Sequence, residues 1–300
     1  MRGRITTVAA LSITVAACSE PTVESEPAVA ATPETTAAPT TEAPPVGAAS
    51  MAPVDGNASN ADLIAAIEAA IEEFSATTGT PGAVAAVIMP SGGDLIQITA
   101  GAGLSDITSG DAADPSDHYR WASITKPMTS TLVLQLVEEG LIDLDEPVAT
   151  YLGGDWASDY IVDGVDYAPL VTIRQILNHT DGFAEYAFDL GFYGQAVQRM
   201  ETPFEPEEIV AWGIGRGPQY VPGDGYLYNT VGHVIAGLVI EAVTGLDAHE
   251  VMRERLFDPV EADDAYLTPA EFPPNGDVAG YVTGALKSVF DVLPGLADYR

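Results

Sequence analysis

The chain has 300 residues, 47% of them hydrophobic, and this length allows one large domain or two ordinary ones. Eleven Lys and Arg residues against 44 Asp and Glu residues give a formal net charge of −33 at pH 7. Such a chain lacks the basic surface that neutralises phosphates, so nucleic acid is excluded as an expected partner. The single cysteine and the absence of a His-Glu-x-x-His spacing argue against the common zinc sites, and we expect no metal and no cofactor.

The first 18 residues have the pattern of a secretory signal peptide. Arg2 and Arg4 precede an apolar run over residues 5–17, which is too short to span a bilayer as a helix. The run closes on Val-Ala-Ala-Cys, which resembles the lipobox of bacterial lipoproteins, where the cysteine receives lipid and becomes the mature N-terminus. Cys18 is therefore the predicted lipid attachment site, and we expect an extracytoplasmic protein anchored to the cell membrane. The alternative is an ordinary secretory signal and a secreted protein.

Residues 19–60 form a segment of biased composition. Pro, Ala, Thr, Glu and Ser dominate it, and large apolar side chains are almost absent. Such a segment buries too little apolar surface to offset the entropy lost on ordering. We therefore predict a disordered, semi-extended tether between the signal peptide and a folded domain over residues 61–300.

The folded part begins with a predicted helix and hairpin. Leu63, Ile67 and Ile71 fall on one helical face before Gly79 ends the pattern. Apolar runs at 83–89 and 94–101 flank Pro-Ser-Gly-Gly, which predicts an antiparallel hairpin. Strands at the start and helices further on indicate an α+β fold. The further helices are predicted at 123–139, 172–178, 206–214, 229–244 and 247–256.

Ser123 and Lys126 stand three residues apart at the start of a predicted helix. Pro127 is tolerated only in the first turn of a helix, which places the helix start near Ser123. Both side chains then share one face, and a neighbouring lysine can activate a serine hydroxyl by taking its proton. The spacing alone is weak evidence, because a solvated lysine at a helix start gives the same pattern. Residues 121–137 contain no other charge, however, which favours a partnered or functional lysine.

Three segments carry a family resemblance. They are "RWASITKPMTSTLVLQLVEEGLIDLDEPVATYL" from residue 120, "VTIRQILNHTDGF" from residue 171 and "VPGDGYLYNTVGHVIAGLVIEAVTG" from residue 221. In this order they resemble the serine β-lactamase and penicillin-binding protein superfamily, in its class C β-lactamase and D-alanyl-D-alanine carboxypeptidase branch. The resemblance implies a β-lactamase/transpeptidase-like fold, with an antiparallel sheet flanked by helices and an all-helical subdomain.

The resemblance also implies roles for individual residues. Ser123 would be the acylated nucleophile, Lys126 its base, and Tyr228 the phenol that relays a proton to the leaving group and helps to activate water. The family's Tyr-x-Asn motif is Tyr228-Asn229-Thr230 here, so Thr230 stands where the family has a substrate-binding Asn. A hydroxyl cannot match an amide, which puts substrate binding and the positioning of Lys126 in doubt. Asn229 would replace the missing amide if the register slipped by one residue.

The family's third motif, Lys/His-x-Gly on a C-terminal strand, is not found in the last 70 residues. That strand supplies one wall of the family's site and a backbone N–H for the oxyanion. We therefore expect the sequence to be a fragment, or to lack the C-terminal strands. We also expect weak or no activity from residues 1–300 alone.

The function expected from the resemblance is that of an acyl-serine hydrolase. A D-alanyl-D-alanine carboxypeptidase or a related peptidase or esterase is favoured, because a tethered extracytoplasmic protein would face peptidoglycan. The expected substrates are a peptidoglycan stem peptide, a β-lactam or a small ester. A β-lactamase proper stays open as an alternative, as does an inactive lipid-anchored binding or sensor protein that keeps the fold without turnover.

Overall fold

The computed structural model describes residues 60–91, 94–154, 156–157, 160–186, 189–199, 202–274, 276 and 278. The predicted signal peptide, Cys18 and all of the tether except Asn60 lie outside the described residues. After Asp117 the described chain passes from one compact unit to another, and each is presented separately.

The unit before residue 118 consists of a helix and a three-stranded antiparallel sheet. Helix α1 (Asn60–Thr78) is followed by β1 (Gly82–Ser91), β2 (Asp94–Asp106) and β3 (Asp111–Ala112), in the sheet order β1-β2-β3. Helix α1 packs against β1 and β2. On β2, Ile98 and Ala100 are buried whereas Gln97 and Thr99 are exposed, the period-2 pattern of a strand with one covered face. The predicted helix and hairpin are confirmed.

The hairpin begins with a close approach of two backbones. Gly82 on β1 pairs with Gly103 on β2, and Gly103 has φ of +80°. A Cβ on Gly103 would overlap the carbonyl oxygen of Pro81 and the Cα of Gly82. Glycine is therefore required at residue 103 both for the left-handed backbone and for the space.

The unit from residue 118 onward is mainly helical. A 3₁₀ turn at Ala122–Ile124 leads into the first α-helix of this unit. A second 3₁₀ turn follows a two-stranded hairpin of β4 (Ile161–Val162) and β5 (Val165–Asp166). A π-helical turn (Arg253–Phe257) and a 3₁₀ turn (Asp258–Val260) follow the last α-helix. The α-helices are α2 (Thr125–Glu138), α3 (Ala149–Leu152), α4 (Ile173–Asn178), α5 (Leu190–Gln198), α6 (Pro206–Ile214), α7 (Val231–Thr244) and α8 (Ala248–Met252).

Helix α7 lies at the centre of this unit. It packs against α2, α4 and α6, and Val231, Ile235 and Val239 on it are fully buried. On α6, a Cβ added to Gly213 would overlap the side chain of Val231, so the absence of a side chain there lets α6 and α7 approach closely. The apolar core so formed holds the start of α2 next to the start of α7, and these two helix starts carry the predicted catalytic residues.

The predicted helices after residue 120 are confirmed, with small shifts at their ends. Helix α2 begins at Thr125, with Ser123 in the preceding 3₁₀ turn. Several elements were not predicted from the sequence: α5, which contains two glycines, the short elements α3 and β3, and the hairpin β4–β5, whose strands have two residues each and show no period. Within the described ranges no single helix has the length and apolar composition to cross a bilayer; the bent pair Val231–Thr244 and Ala248–Val260 meets that test only jointly.

Candidate active site

Ser123 and Lys126 meet at the entry to α2. Ala122 has φ of +46°, a strained conformation for a residue other than glycine, and it directly precedes Ser123 in the 3₁₀ turn. One turn later Lys126 Nζ donates to Ser123 Oγ at 3.1 Å. The lysine side chain is buried, at 9% exposure, whereas Ser123 is exposed. The predicted pair is therefore in contact, with the amine shielded and the hydroxyl accessible.

Tyr228 approaches the same hydroxyl from the loop before α7. Its phenol donates to Ser123 Oγ at 2.7 Å, and Lys126 Nζ lies 4.8 Å from the centre of its ring. Tyr228 is 40% exposed, so its side chain is partly accessible to solvent while its hydroxyl contacts the serine. The structure thus brings Ser123, Lys126 and Tyr228 together around a single oxygen atom.

Thr230 lies on the far side of Lys126. Lys126 Nζ donates to Thr230 Oγ1 at 3.2 Å, and Thr230 Oγ1 in turn donates to Glu185 Oε2 at 2.9 Å. The sequence left the positioning of Lys126 in doubt, because a threonine stands where the family has an asparagine. In the structure the threonine hydroxyl contacts the lysine amine. The sequence analysis did not single out Glu185. Forty-five residues separate it from Thr230, and only the tertiary structure brings the two together.

Asn229 points away from the site. It is fully buried, and its Nδ2 donates to Asp181 Oδ1 at 2.9 Å, to Asp181 Oδ2 at 3.2 Å and to the Leu227 carbonyl at 3.2 Å. Its Oδ1 accepts from the backbone N–H of Gly232 at 2.9 Å. The prediction that Asn229 binds substrate is wrong, because the register does not slip and the amide is committed to the interior.

Asp181 receives this buried amide. It is fully buried, accepts from the Phe183 N–H at 2.7 Å, and its own carbonyl accepts from the Tyr160 hydroxyl at 3.1 Å. Burial raises the pKa of the Asp181 carboxyl to about 7, against hydrogen bonds from Phe183 and Asn229 that lower it. Asp181 was also missed by the sequence analysis, although it lies within the quoted "HTDGF" segment. It ties that segment to the loop that carries Tyr228.

Two histidine rings lie in a row next to the ring of Tyr228, each tilted against its neighbour. His179 ends α4 with φ of +63°, and its ring lies 4.6 Å from that of Tyr228 and 5.1 Å from that of His233. His233 is buried on α7, with Nε2 3.3 Å from Ser130 Oγ. Burial, with the charges of His179 and Lys126, lowers the pKa of His233 to about 4; burial and Lys126 also lower the pKa of His179. Both rings are therefore neutral at pH 7 and add no charge beside Lys126.

The part of the chain that the structure describes contains no cluster of metal-ligating side chains. No group of three or more His, Cys, Asp or Glu residues there could hold a metal ion.

Comparison with known proteins places the chain in a family. The family model described as Beta-lactamase matches residues 67–299. Penicillin-binding protein 4 of Amycolatopsis lactamdurans is 30% identical over 192 residues, covering 64% of this chain and 46% of that protein. Esterase EstB of Burkholderia gladioli is 27% identical over 234 residues, covering 75% of this chain and 56% of that protein. The chain thus spans about half the length of these curated relatives.

A solved structure confirms the fold. D-amino acid amidase from Ochrobactrum anthropi SV3, complexed with D-phenylalanine, is 25% identical with a TM-score of 0.61, and the match covers 75% of this chain and 58% of that one. The predicted α+β, β-lactamase/transpeptidase-like fold is therefore correct. Because the family model matches most of this chain, the chain belongs to the Beta-lactamase family. This family lies within the superfamily of serine β-lactamases and penicillin-binding proteins that the motifs of the chain resemble.

Proposed function

We propose that the protein is an acyl-serine hydrolase in which Ser123 is the nucleophile, Lys126 its base and Tyr228 the proton relay. The observation that carries this proposal is the position of Ser123 Oγ, 3.1 Å from Lys126 Nζ and 2.7 Å from the Tyr228 hydroxyl. A serine hydroxyl is a weak nucleophile until an adjacent base accepts its proton, and both neighbours are within reach of that proton.

In the acylation step, neutral Lys126 takes the proton of Ser123 as Oγ bonds to the carbonyl carbon of the substrate. The tetrahedral intermediate carries negative charge on the former carbonyl oxygen, close to the positive end of α2. Its collapse breaks the bond to the leaving group, which receives the proton from Lys126 through the Tyr228 hydroxyl. The products of this step are an acyl ester on Ser123 and the protonated leaving group.

Deacylation runs the same transfers with water in place of the leaving group. Tyr228 is exposed and contacts Ser123 Oγ, so a water at the position vacated by the leaving group can pass its proton through the phenol to Lys126. The hydroxide equivalent attacks the ester carbon, the bond to Ser123 Oγ breaks, and the serine recovers its proton. A carboxylic acid is released and the starting state of the three residues is restored.

The similarity to known relatives supports a substrate that has an ester bond, a β-lactam ring or an amide of a D-amino acid. These relatives are named as a penicillin-binding protein, an esterase and a D-amino acid amidase. Within this range we favour a D-alanyl-D-alanine carboxypeptidase or a related peptidase or esterase, acting on a peptidoglycan stem peptide or a small ester. A β-lactamase proper differs in deacylating a penicilloyl serine quickly, and an inactive sensor would show no turnover.

Covalent labelling of the purified full chain tests the proposal. We expect Ser123 to be acylated by a fluorescent penicillin or by p-nitrophenyl butyrate, with the added mass on the peptide that contains residue 123. Ser123→Ala must abolish the label, whereas Ser130→Ala, on the same helix, must retain it. Release of D-alanine from a D-Ala-D-Ala peptide identifies the peptidase, and rapid turnover of nitrocefin identifies the β-lactamase. Because weak turnover at most is expected of residues 1–300, the covalent label on Ser123 is the deciding result, and a wild-type chain that neither probe labels contradicts the proposal.

The location of the protein is a separate proposal. The Val-Ala-Ala-Cys sequence at the end of the apolar run supports lipid attachment at Cys18 and anchoring outside the cytoplasm, facing peptidoglycan. Mass spectrometry of the mature N-terminus tests it, with a lipid-modified Cys18 as the expected first residue. An unmodified N-terminus beyond residue 18 contradicts the anchor and favours secretion.

A further inference from the structure

The hydroxyl of Thr230 contacts Lys126, the base of the proposed reaction, and the direction in which its proton points decides whether it accepts from the amine or donates to it. An amide side chain has a fixed acceptor and a fixed donor, but a threonine hydroxyl has one proton that rotates about the C–O bond. Thr230 Oγ1 lies 3.2 Å from Lys126 Nζ, so its proton can point either away from the amine or towards it. In the second orientation the hydroxyl would donate into the lone pair of the neutral amine.

Glu185 selects between these orientations. Its Oε2 lies 2.9 Å from Thr230 Oγ1, and a carboxylate accepts hydrogen bonds without donating one. The Thr230 proton therefore points at Glu185, and the oxygen presents its lone pairs to Lys126. The result is a directed chain of two hydrogen bonds, from Lys126 to Thr230 and from Thr230 to Glu185, with a charged acceptor at its end that strengthens the second bond.

We propose that Glu185 is a positioning residue for acylation, which holds the Thr230 proton away from Lys126 so that the amine lone pair stays available to Ser123. This inference rests on the proposed function, because it concerns the base of that reaction. The inferred effect of Glu185 on Lys126 passes through the hydroxyl of Thr230. Together the threonine and the carboxylate form an acceptor for Lys126 at the position where the family's motif has asparagine.

A purely structural role for Glu185 makes different predictions. The segment that carries Glu185 is already tied to the Tyr228 loop by the buried pair Asp181 and Asn229. A structural tie would add to the free energy of unfolding and would act in the same way whichever residue occupies position 230. A positioning role changes the acylation rate constant, leaves the affinity of the initial complex unchanged, and depends on the hydroxyl of Thr230.

The test is a double-mutant cycle on the full chain, with p-nitrophenyl butyrate as the probe and Ser123-dependent release of nitrophenolate as the signal. In the wild-type background we expect Glu185→Ala to lower the acylation rate constant at saturating substrate about 10- to 100-fold. This loss is part of the factor of about 10²–10⁴ that a positioned base supplies. The substrate concentration that gives half-saturation should not change. Glu185→Gln, which keeps a neutral acceptor, should lose less. In the Thr230→Asn background, Glu185→Ala should change the rate less than about twofold.

The control is Glu207→Ala, which removes the same charge from an exposed position in the first turn of α6 and should leave the rate unchanged. The positioning role would be overturned if Glu185→Ala lowered the acylation rate constant equally in the two backgrounds. It would also be overturned if Glu185→Ala changed only the half-saturating substrate concentration or the free energy of unfolding. In either case the proposed function stands. A wild-type chain without Ser123-dependent release contradicts the proposed function and the role of Glu185 together.

Discussion

Consecutive residues of one loop lie in opposite environments. Tyr228 is 40% exposed and contacts the Ser123 hydroxyl, whereas Asn229 is fully buried and bound to Asp181. Thr230, partly buried, returns to the site to contact Lys126. The outer set of Ser123, Lys126 and Tyr228, termed here the reactive layer, is thus held by an inner set of Asp181, Asn229 and His233, termed the support layer.

The two layers place different demands on their side chains. Reactive groups have to reach a substrate, so their hydrogen bonds are few and open to exchange. Asp181 and Asn229 in the support layer are fully buried, and a buried polar group without a partner costs about 1–3 kcal/mol. All the polar atoms of the Asn229 side chain are accordingly paired. The division predicts that changes in the reactive layer act on rate, and that changes in the support layer act on stability.

The largest effect is expected at Lys126. Lys126→Met keeps the length and apolar stem of the side chain but removes the base, and should lower the acylation rate constant by about 10³-fold or more. The midpoint of chemical unfolding should change little by comparison. The measurement is nitrophenolate release from p-nitrophenyl butyrate. Arg174→Met, which removes an exposed cation, serves as the control and should stay within about twofold of wild type. A Lys126→Met variant that acylates at the wild-type rate would contradict its role as base.

A smaller effect on rate is expected at Tyr228. Tyr228→Phe removes the hydroxyl that contacts Ser123 and keeps the ring against His179, so the loss should be about 10²-fold with stability unchanged. The neighbouring Tyr226→Phe removes a hydroxyl from a side chain that is 68% exposed and should leave the rate intact. Similar losses from both variants would show that the reactive layer does not depend on the phenol of Tyr228.

In the support layer the expected effect is on folding. Asp181→Ala removes the carboxylate acceptor of the buried Asn229 amide and leaves it only the Leu227 carbonyl, and should lower the free energy of unfolding by about 2–3 kcal/mol, measured by chemical denaturation. Asp224→Ala, at an exposed position of the same connecting loop, should change it by less than about 0.5 kcal/mol. If the two variants lose equal stability, the buried pair does not anchor the loop.

Asp181 and His233 in the support layer are expected to change the free energy of unfolding in opposite directions as the pH rises. The pKa of Asp181 is raised to about 7, so between pH 4 and 7 the folded chain holds a proton that the unfolded chain has lost. This contribution to the free energy of unfolding falls as the pH rises. The pKa of His233 is lowered to about 4, so between pH 4 and 6.5 the unfolded chain holds the extra proton, and this contribution rises with pH.

The two contributions oppose each other in the wild-type chain, each with a slope of at most about 1.4 kcal/mol per pH unit. Asp181→Asn should therefore give a free energy of unfolding that increases between pH 4.5 and 6.5. His233→Gln should give one that decreases relative to wild type over the same interval. Denaturant titrations at the two pH values provide the measurement, and parallel profiles for the two variants would contradict the opposed shifts.

The parts of the site that the sequence predicts depend on local geometry. Ser123 and Lys126 are three residues apart at a helix start that Pro127 marks, and residues at that spacing meet on any helix. Tyr228 was identified only through the family resemblance, since a tyrosine in an aromatic-rich loop has no period that reveals a contact 105 residues away. The structure brings it to Ser123, but its catalytic role stays a prediction for the measurements above.

The failures have the opposite character. Asn229 was proposed to bind substrate because neither spacing nor composition says which way a loop side chain faces. Asp181 and Glu185 were missed because their partners lie 48 and 45 residues further along the chain. Each contact exists only once α4 and α7 have packed together.

The amino-acid sequence by itself determined the first helix and hairpin, the longer helices after residue 120 and the Ser123–Lys126 pair, because periodicity, proline and a three-residue spacing act over one or two turns of chain. Only the tertiary structure decided which face of the 228–230 loop meets the serine, and which carboxylates receive Asn229 and Thr230. Those choices depend on burial, because a loop amide turns inward only where a packed interior supplies its partners.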